Sequence, residues 1–136
     1  MSDVGAPWRG GLRAGSCTPG DPDEDQPTRV LRVDPRDGAM GVFRDTPVVV
    51  RLSYPAHPES LSATTFHVEG PRGAVPGRVS MSPDGQCLIW TGERLFAPDA
   101  LHFVVVRGLV DRRGRDVEPH VSRFLPCDLV WSTLLT

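Results

Sequence analysis

Four histidines are the side chains of this 136-residue chain best suited to act as a general base: His57, His67, His102 and His120. A serine or cysteine nucleophile needs a histidine within hydrogen-bond reach. No G-x-S-x-G or H-E-x-x-H motif brings such groups together along this sequence. We therefore expect no catalytic residue. We interpret His102 as a histidine at the edge of the core and the other three as exposed.

Three cysteines, Cys17, Cys87 and Cys127, could act as metal ligands or form a disulfide. Their odd number and spacings of 70 and 40 residues fit neither a zinc site nor a disulfide-stapled mini-domain. We expect free thiols, and a Cys87–Cys127 bridge is the alternative in an oxidising compartment. Cys17 follows small residues and precedes an acidic, proline-rich stretch, which resembles a bacterial lipoprotein cleavage site without its hydrophobic segment. The alternative is an incidental cysteine in a tail.

Aspartates are plentiful enough to raise the question of a metal site. Asp21, Asp23 and Asp25 alternate, but the glycine and glutamate of a calcium loop do not follow them. Asp111 and Asp116 flank a turn, where aspartate side chains usually bond the neighbouring backbone. We therefore expect no metal ion and no cofactor.

The segment Arg112–Arg115 is the one local basic cluster, and it could contact an anionic glycan, a lipid headgroup or nucleic acid. Because an aspartate lies on each side of it, we expect a solvated loop tip instead. The net charge of −2 also lacks the basic surplus of nucleic-acid-binding domains. All 15 basic residues are arginines, which excludes Schiff-base lysine chemistry and a Walker-type phosphate loop.

The elements that must position these residues are short strands. With 14 glycines and 14 prolines, the chain is a poor candidate for a helix bundle. No apolar run is long enough for a transmembrane helix. Residues 1–28 are acidic and rich in Gly and Pro, and we expect a disordered leader without the apolar segment of a signal peptide.

From residue 29 onward, β-branched runs alternate with turn signals such as Asp84-Gly85. Within these runs Val48, Val50, Leu52 and the alternate residues of later strands point inward, and Leu95 and Phe96 cap the core edge. This pattern predicts an all-β, immunoglobulin-like antiparallel sandwich of about seven strands. The predicted strands cover residues 30–33, 47–54, 64–69, 75–82, 86–91, 101–107 and 121–125.

Several stretches resemble the bacterial Ig-like domain family, known from S-layer and other bacterial surface proteins. The opening Val33–Val42 resembles the family's "P-x-(D/N)-G-A-x-G-V" pattern, and later motifs follow in the family's order. These are Asp45–Ser53, Thr65–Val68, Val75–Ser80, Ser82–Gly85, Leu95–Pro98 and Gly108–Asp111. The resemblance covers residues 29–125 and implies an Ig-like domain at the cell surface or in a secreted protein.

We therefore expect a non-catalytic structural, adhesive or protein-interaction module. The alternative is an accessory domain that binds a glycan or peptide through its loops or by edge-strand addition. A small enzyme is the third hypothesis. The apolar segment of residues 126–136, which includes Trp131, is the expected contact for a protein or cell-envelope partner.

Overall fold

The structure, a computed structural model, describes residues 26–130 and is an all-β sandwich. Its strands are β1 (Val30–Asp34), β2 (Ala39–Val42), β3 (Val48–Leu52), β4 (Phe66–Gly70), β5 (Gly73–Ala74), β6 (Gly77–Met81), β7 (Cys87–Gly92), β8 (His102–Val106) and β9 (His120–Pro126). A single 3₁₀ turn, Pro58–Ser60, interrupts them within the described residues. In the part of the chain described, no helix is long and apolar enough to cross a membrane.

The strands form two sheets. One has four strands in the order β1-β3-β7-β6, and the other has five in the order β2-β9-β8-β4-β5. All neighbours are antiparallel except β2 and β9, which run parallel. This is the strand arrangement of an immunoglobulin-like sandwich, so the predicted fold class is confirmed.

The core lies between the two sheets and follows the two-residue period of the strands. Side chains at alternate positions point to one face, and the inward faces predicted for β3, β4, β7 and β8 are buried. These positions are Val48, Val50, Leu52, Phe66, Val68, Leu88, Trp90, His102, Val104 and Val106, each at most 1% exposed. The predicted inward residues of β6, Val79 and Met81, are only half-buried because β6 is an edge strand.

Two strands lie outside the predicted set. In β2 only Ala39 and Val42 are half-buried, while Met40 is 77% exposed, so the segment has no alternating apolar pattern. It is held by parallel pairing with β9. The two-residue β5 forms a short hairpin with β4. The expectation for Leu95 was also wrong: Phe96 is buried, but Leu95 is 45% exposed because the loop turns its side chain outward.

The two ends of the sandwich are identified by the residues that lie there. Thr28 lies at one end, beside Asp111, and we call this the Asp111 end. Trp90, Phe96 and His102 lie together at the opposite end, which we call the His102 end. The chain therefore enters the domain at the Asp111 end and leaves β9 at the His102 end.

Residues on both sides of the predicted domain limits are part of the packed structure. Thr28, the last residue of the predicted leader, is fully buried and pairs with Val117. Pro126, placed in the C-terminal segment, is buried as the last residue of β9. Beyond it, the Leu129 carbonyl accepts a hydrogen bond from the Arg44 amide at 2.9 Å. The predictions for residues 1–25 and 131–136, including those for Cys17 and Trp131, concern residues outside the described range.

Candidate functional site

The four histidines are held on separate elements. His57 caps the 3₁₀ turn, and its Nδ1 accepts the Glu59 amide at 3.2 Å. His67 lies 2.8 Å from Glu69 on the outer face of β4. His102 and His120 lie at opposite ends of the β8–β9 pair. Within residues 26–130 no histidine ring hydrogen-bonds a hydroxyl or thiol group.

Three of these histidines differ from the sequence expectation. His57, His67 and His120 are half-buried rather than exposed. The His67 side chain is only 14% exposed and pairs with Glu69. His102 is 1% exposed, within the core rim as predicted. Burial lowers the pKa of His102 and of His120, although a nearby Asp37 partly opposes the shift at His120.

Asp111 organises the loop between β8 and β9. Its side chain is fully buried. The Oδ1 atom accepts the backbone amides of Arg113 at 2.8 Å and Arg115 at 3.0 Å. The Oδ2 atom accepts the Thr28 hydroxyl at 2.6 Å and the Arg113 guanidinium at 3.1 Å. The expected side chain-to-backbone role of this aspartate is therefore observed, together with a long-range bond to the start of the domain.

The pKa of the Asp111 carboxyl reflects the balance of these contacts. Burial by itself raises the pKa, because the charged form loses its solvation. The hydrogen bonds from Thr28, Arg115 and Arg113 favour the charged form and together bring the pKa below its ordinary value. Asp111 is therefore a carboxylate at neutral pH, fully engaged in holding its own loop.

The interpretation of Arg112–Arg115 as a solvated tip is wrong for one of its residues. The Arg113 side chain is 18% exposed and folds back into the domain. Its guanidinium lies 4.0 Å from the centre of the Tyr54 ring and donates to the Gln26 carbonyl at 3.3 Å. Arg112 and Arg115 are exposed, as expected. The cluster thus serves the packing of the Asp111 end through Arg113.

Residues 26–130 contain neither a metal site nor a disulfide bond. No group of three or more His, Cys, Asp or Glu side chains in residues 26–130 could hold a metal ion. Cys87 and Cys127 are free thiols, each half-buried, and the alternative bridge between them is not formed.

The His102 end contains an aromatic cluster that joins the two sheets. The Phe96 ring stacks on Trp90 at 5.6 Å between centroids and meets Phe124 edge-on at 5.1 Å. His102 lies 5.0 Å from Phe96 and stacks on Phe124 at 5.5 Å. Gly77 permits this packing, because a Cβ there would lie 2.4 Å from the Trp90 ring.

A cavity of about 470 Å³ opens beside this cluster. The β4–β5 hairpin and the loop between β7 and β8 form its walls, and His102 and Gly70 are among its lining residues. Three arginines also line it: Arg44, Arg72 and Arg94. Sequence analysis missed this group because the three arginines are more than twenty residues apart and form no local basic run.

Comparison with known proteins finds matches to the three-dimensional structure of this chain but no family or curated protein that matches its sequence. No family model matches the chain, and no curated protein matches it. Among solved structures, the S-layer protein SbsC matches with a TM-score of 0.60 and 17% identity over 77% of this chain. The chain spans only 14% of that SbsC structure. A structure of the N-terminal part of SbsC matches with the same TM-score and 18% identity; 77% of this chain matches 24% of that one.

Enzymes also contain a domain of this shape. An L,D-transpeptidase from Mycobacterium smegmatis matches with a TM-score of 0.54 and 19% identity, over 75% of this chain and 41% of the enzyme. At these identities the similarity defines the fold. The chain therefore shares its Ig-like sandwich with domains of bacterial S-layer proteins and L,D-transpeptidases.

Proposed function

We propose that this chain is a non-catalytic Ig-like module of a bacterial surface or secreted assembly, with a structural or adhesive role. The observation that carries the proposal is the sandwich shared with the S-layer protein SbsC over 77% of the chain. The same fold in L,D-transpeptidases is compatible with this role, because the chain matches less than half of each enzyme's length.

The chemistry of the described residues supports a structural role. Asp111, the fully buried carboxylate, uses both oxygens to hold a loop. His57 caps a turn, and His67 pairs with a neighbour on its own strand. A catalytic base or nucleophile needs a free polar atom directed at a reacting group. These side chains are instead engaged in intramolecular contacts.

The path of the chain also suits a module linked in series. Thr28 lies at the Asp111 end, and Leu129 lies at the His102 end, where its carbonyl bonds Arg44. A preceding and a following segment would therefore leave from opposite ends of the sandwich. Domains connected in this way can extend away from an envelope surface.

Surface labelling in the native host tests the proposal. Intact cells would be treated with a membrane-impermeant, thiol-reactive biotin reagent, because the chain has three cysteines and no lysine. This protein would be recovered on streptavidin alongside a cytosolic control protein. We expect labelling of this protein in intact cells and of the control only after lysis. Labelling of both only after lysis would refute a surface location. A hydrolase or transferase activity abolished by one point substitution would refute the non-catalytic role.

Two finer proposals concern residues 126–136, of which the structure describes 126–130, and Cys17, which lies outside the described residues. We propose that residues 126–136 contribute to a partner contact, which pull-down of envelope proteins with the full chain and with a chain lacking 131–136 would test. The second proposal is that a lipid is attached at Cys17. The intact mass of the protein isolated from its host tests this, and a mass that shows an unmodified Cys17 would rule out lipid attachment.

The second candidate function is ligand binding through the loops. The observation that favours it is the arginine-lined cavity at the His102 end, between two loops of the sandwich. This candidate does not depend on a surface location.

A further inference from the structure

The cavity at the His102 end combines positive charge with apolar walls. Arg44, Arg72 and Arg94 line it, and no aspartate or glutamate of the described residues does so. The remaining lining is mainly apolar side chains, such as Val75, Pro76, Leu95 and Pro98, and backbone. Its volume of about 470 Å³ falls within the range of small-molecule sites, roughly 300–1,000 Å³.

One of the arginines is fixed in place. The Arg44 Nε donates to the Phe96 carbonyl at 2.8 Å, which leaves its terminal nitrogens available. The Arg44 backbone also pairs on both sides, with Leu129 and with Phe96. Arg72 and Arg94 are exposed, and among the described residues neither guanidinium has an ion-pair partner. Guanidinium groups bind oxyanions by paired hydrogen bonds.

His102 contributes an unsatisfied polar atom at the same place. Its Nδ1 lies 2.8 Å from the Ala100 carbonyl, which only accepts, so Nδ1 must carry a hydrogen. The opposite ring nitrogen, Nε2, is buried and has no hydrogen-bond partner among residues 26–130, in a side chain that is 1% exposed. Buried polar atoms are rarely left unpaired in folded proteins. The described residues contain others, at His67, His120 and Ser122, but none of these three residues lines the cavity.

Gly70 lies close to this nitrogen. A Cβ built on Gly70 would lie 2.9 Å from the His102 Nε2. Gly70 and His102 both line the cavity, so this close approach lies at the cavity wall. Because burial also lowers the pKa of His102, the ring is neutral at pH 7 and Nε2 carries a lone pair. A ligand hydroxyl would satisfy it.

We propose that this cavity binds an oxyanion that also carries hydroxyl groups, the chemistry shared by sugar acids and sugar phosphates. The arginines bind the anionic oxygens, and the His102 Nε2 accepts a hydrogen bond from a ligand hydroxyl. The apolar walls pack against the carbon skeleton of the ring.

Calorimetric titration of the full 136-residue chain tests the proposal with four probes. Galacturonate and galactose 6-phosphate carry both required groups, galactose lacks the charge, and acetate lacks the hydroxyls. We expect at least one of the first two to bind with a Kd of about 1 mM or tighter, and galactose and acetate to bind more weakly. Comparison of the Kd of galacturonate with that of galactose 6-phosphate would show whether the site prefers a carboxylate or a phosphate.

Matched variants locate the site. Arg72→Ala combined with Arg94→Ala should raise the Kd about tenfold or more, because two charge-assisted contacts are lost. The control combines Arg29→Ala with Arg107→Ala, which removes the same charge near the Asp111 end. It should change the Kd less than about twofold, since exposed charges are screened over roughly 8 Å. All four side chains are exposed, so both variants should fold.

Nitrogen NMR of the wild-type chain tests the histidine contact separately. The ¹⁵N signal of the His102 Nε2 should shift when the bound sugar anion is added and stay in place with acetate. No binding at about 10 mM, equal weakening by both arginine pairs, or an unmoved Nε2 signal would each overturn the proposal. Such a failure leaves the surface location untouched, because labelling of intact cells is a separate measurement.

Discussion

Replacement of Asp111 by alanine should strongly destabilise the domain. The substitution removes four hydrogen bonds to a fully buried carboxylate: two from backbone amides, one from Thr28 and one from Arg113. Each buried donor left unpaired costs about 1 kcal/mol or more. Loss of one partner of a buried ion pair costs about 3–5 kcal/mol. Arg113 is partly exposed and keeps its contact with Tyr54, so we expect a total of about 3–5 kcal/mol.

Urea unfolding followed by tryptophan fluorescence measures this loss. A loss of this size corresponds to a fall in Tm of roughly 12–20 °C for a domain of about 100 residues. Asp116→Ala is the matched control, because Asp116 flanks the same turn but is exposed. The control should change the free energy of unfolding by less than about 0.5 kcal/mol. Equal effects of the two substitutions, or a loss below about 1 kcal/mol at Asp111, would refute the assigned role of the carboxylate.

Three further substitutions or conditions test the His102 end. Phe96→Ala should cost about 3–5 kcal/mol in urea unfolding, while Leu95→Ala, its exposed neighbour, should be nearly neutral. Gly77→Ala should cost about 1–3 kcal/mol because its Cβ overlaps an indole ring, whereas Ser80→Ala on the same strand should be nearly neutral. Burial lowers the pKa of both His102 and His120, so each histidine is protonated in the unfolded chain at a higher pH than in the folded domain. The free energy of unfolding should therefore fall as pH drops below about 6.5. Constant stability between pH 7.5 and 5.5 would contradict that assignment.

The sequence predicted most of the sandwich because its central strands alternate. In β3 and β7, apolar side chains recur at every second position, and this period alone places Val50, Leu88 and Trp90 in the core. Strand β2 was not predicted, because its side chains are mostly exposed and show no alternating pattern. Its position depends on pairing with β9, a segment more than eighty residues away. Local pattern carries no information about such long-range pairing.

The candidate sites were harder to predict for the same reason. Arg113 was expected in solvent, but its surroundings include Gln26 and Tyr54, which lie far from it along the chain. The side-chain bonds of Asp111 to its own loop were predicted, since they are local. The cavity arginines come from three separate loops, and only the folded arrangement of both sheets brings them together.

The parallel pairing of β2 with β9 has a mechanical consequence. Tension applied between the entry at Thr28 and the exit at Leu129 acts first on β1, which pairs with β3, and then pulls β2 and β9 along their length in opposite directions. In that geometry the hydrogen bonds between the strands bear the load together, in shear, rather than opening one after another. A domain linked in series would therefore resist extension at the strand that carries no alternating pattern, Ala39–Val42.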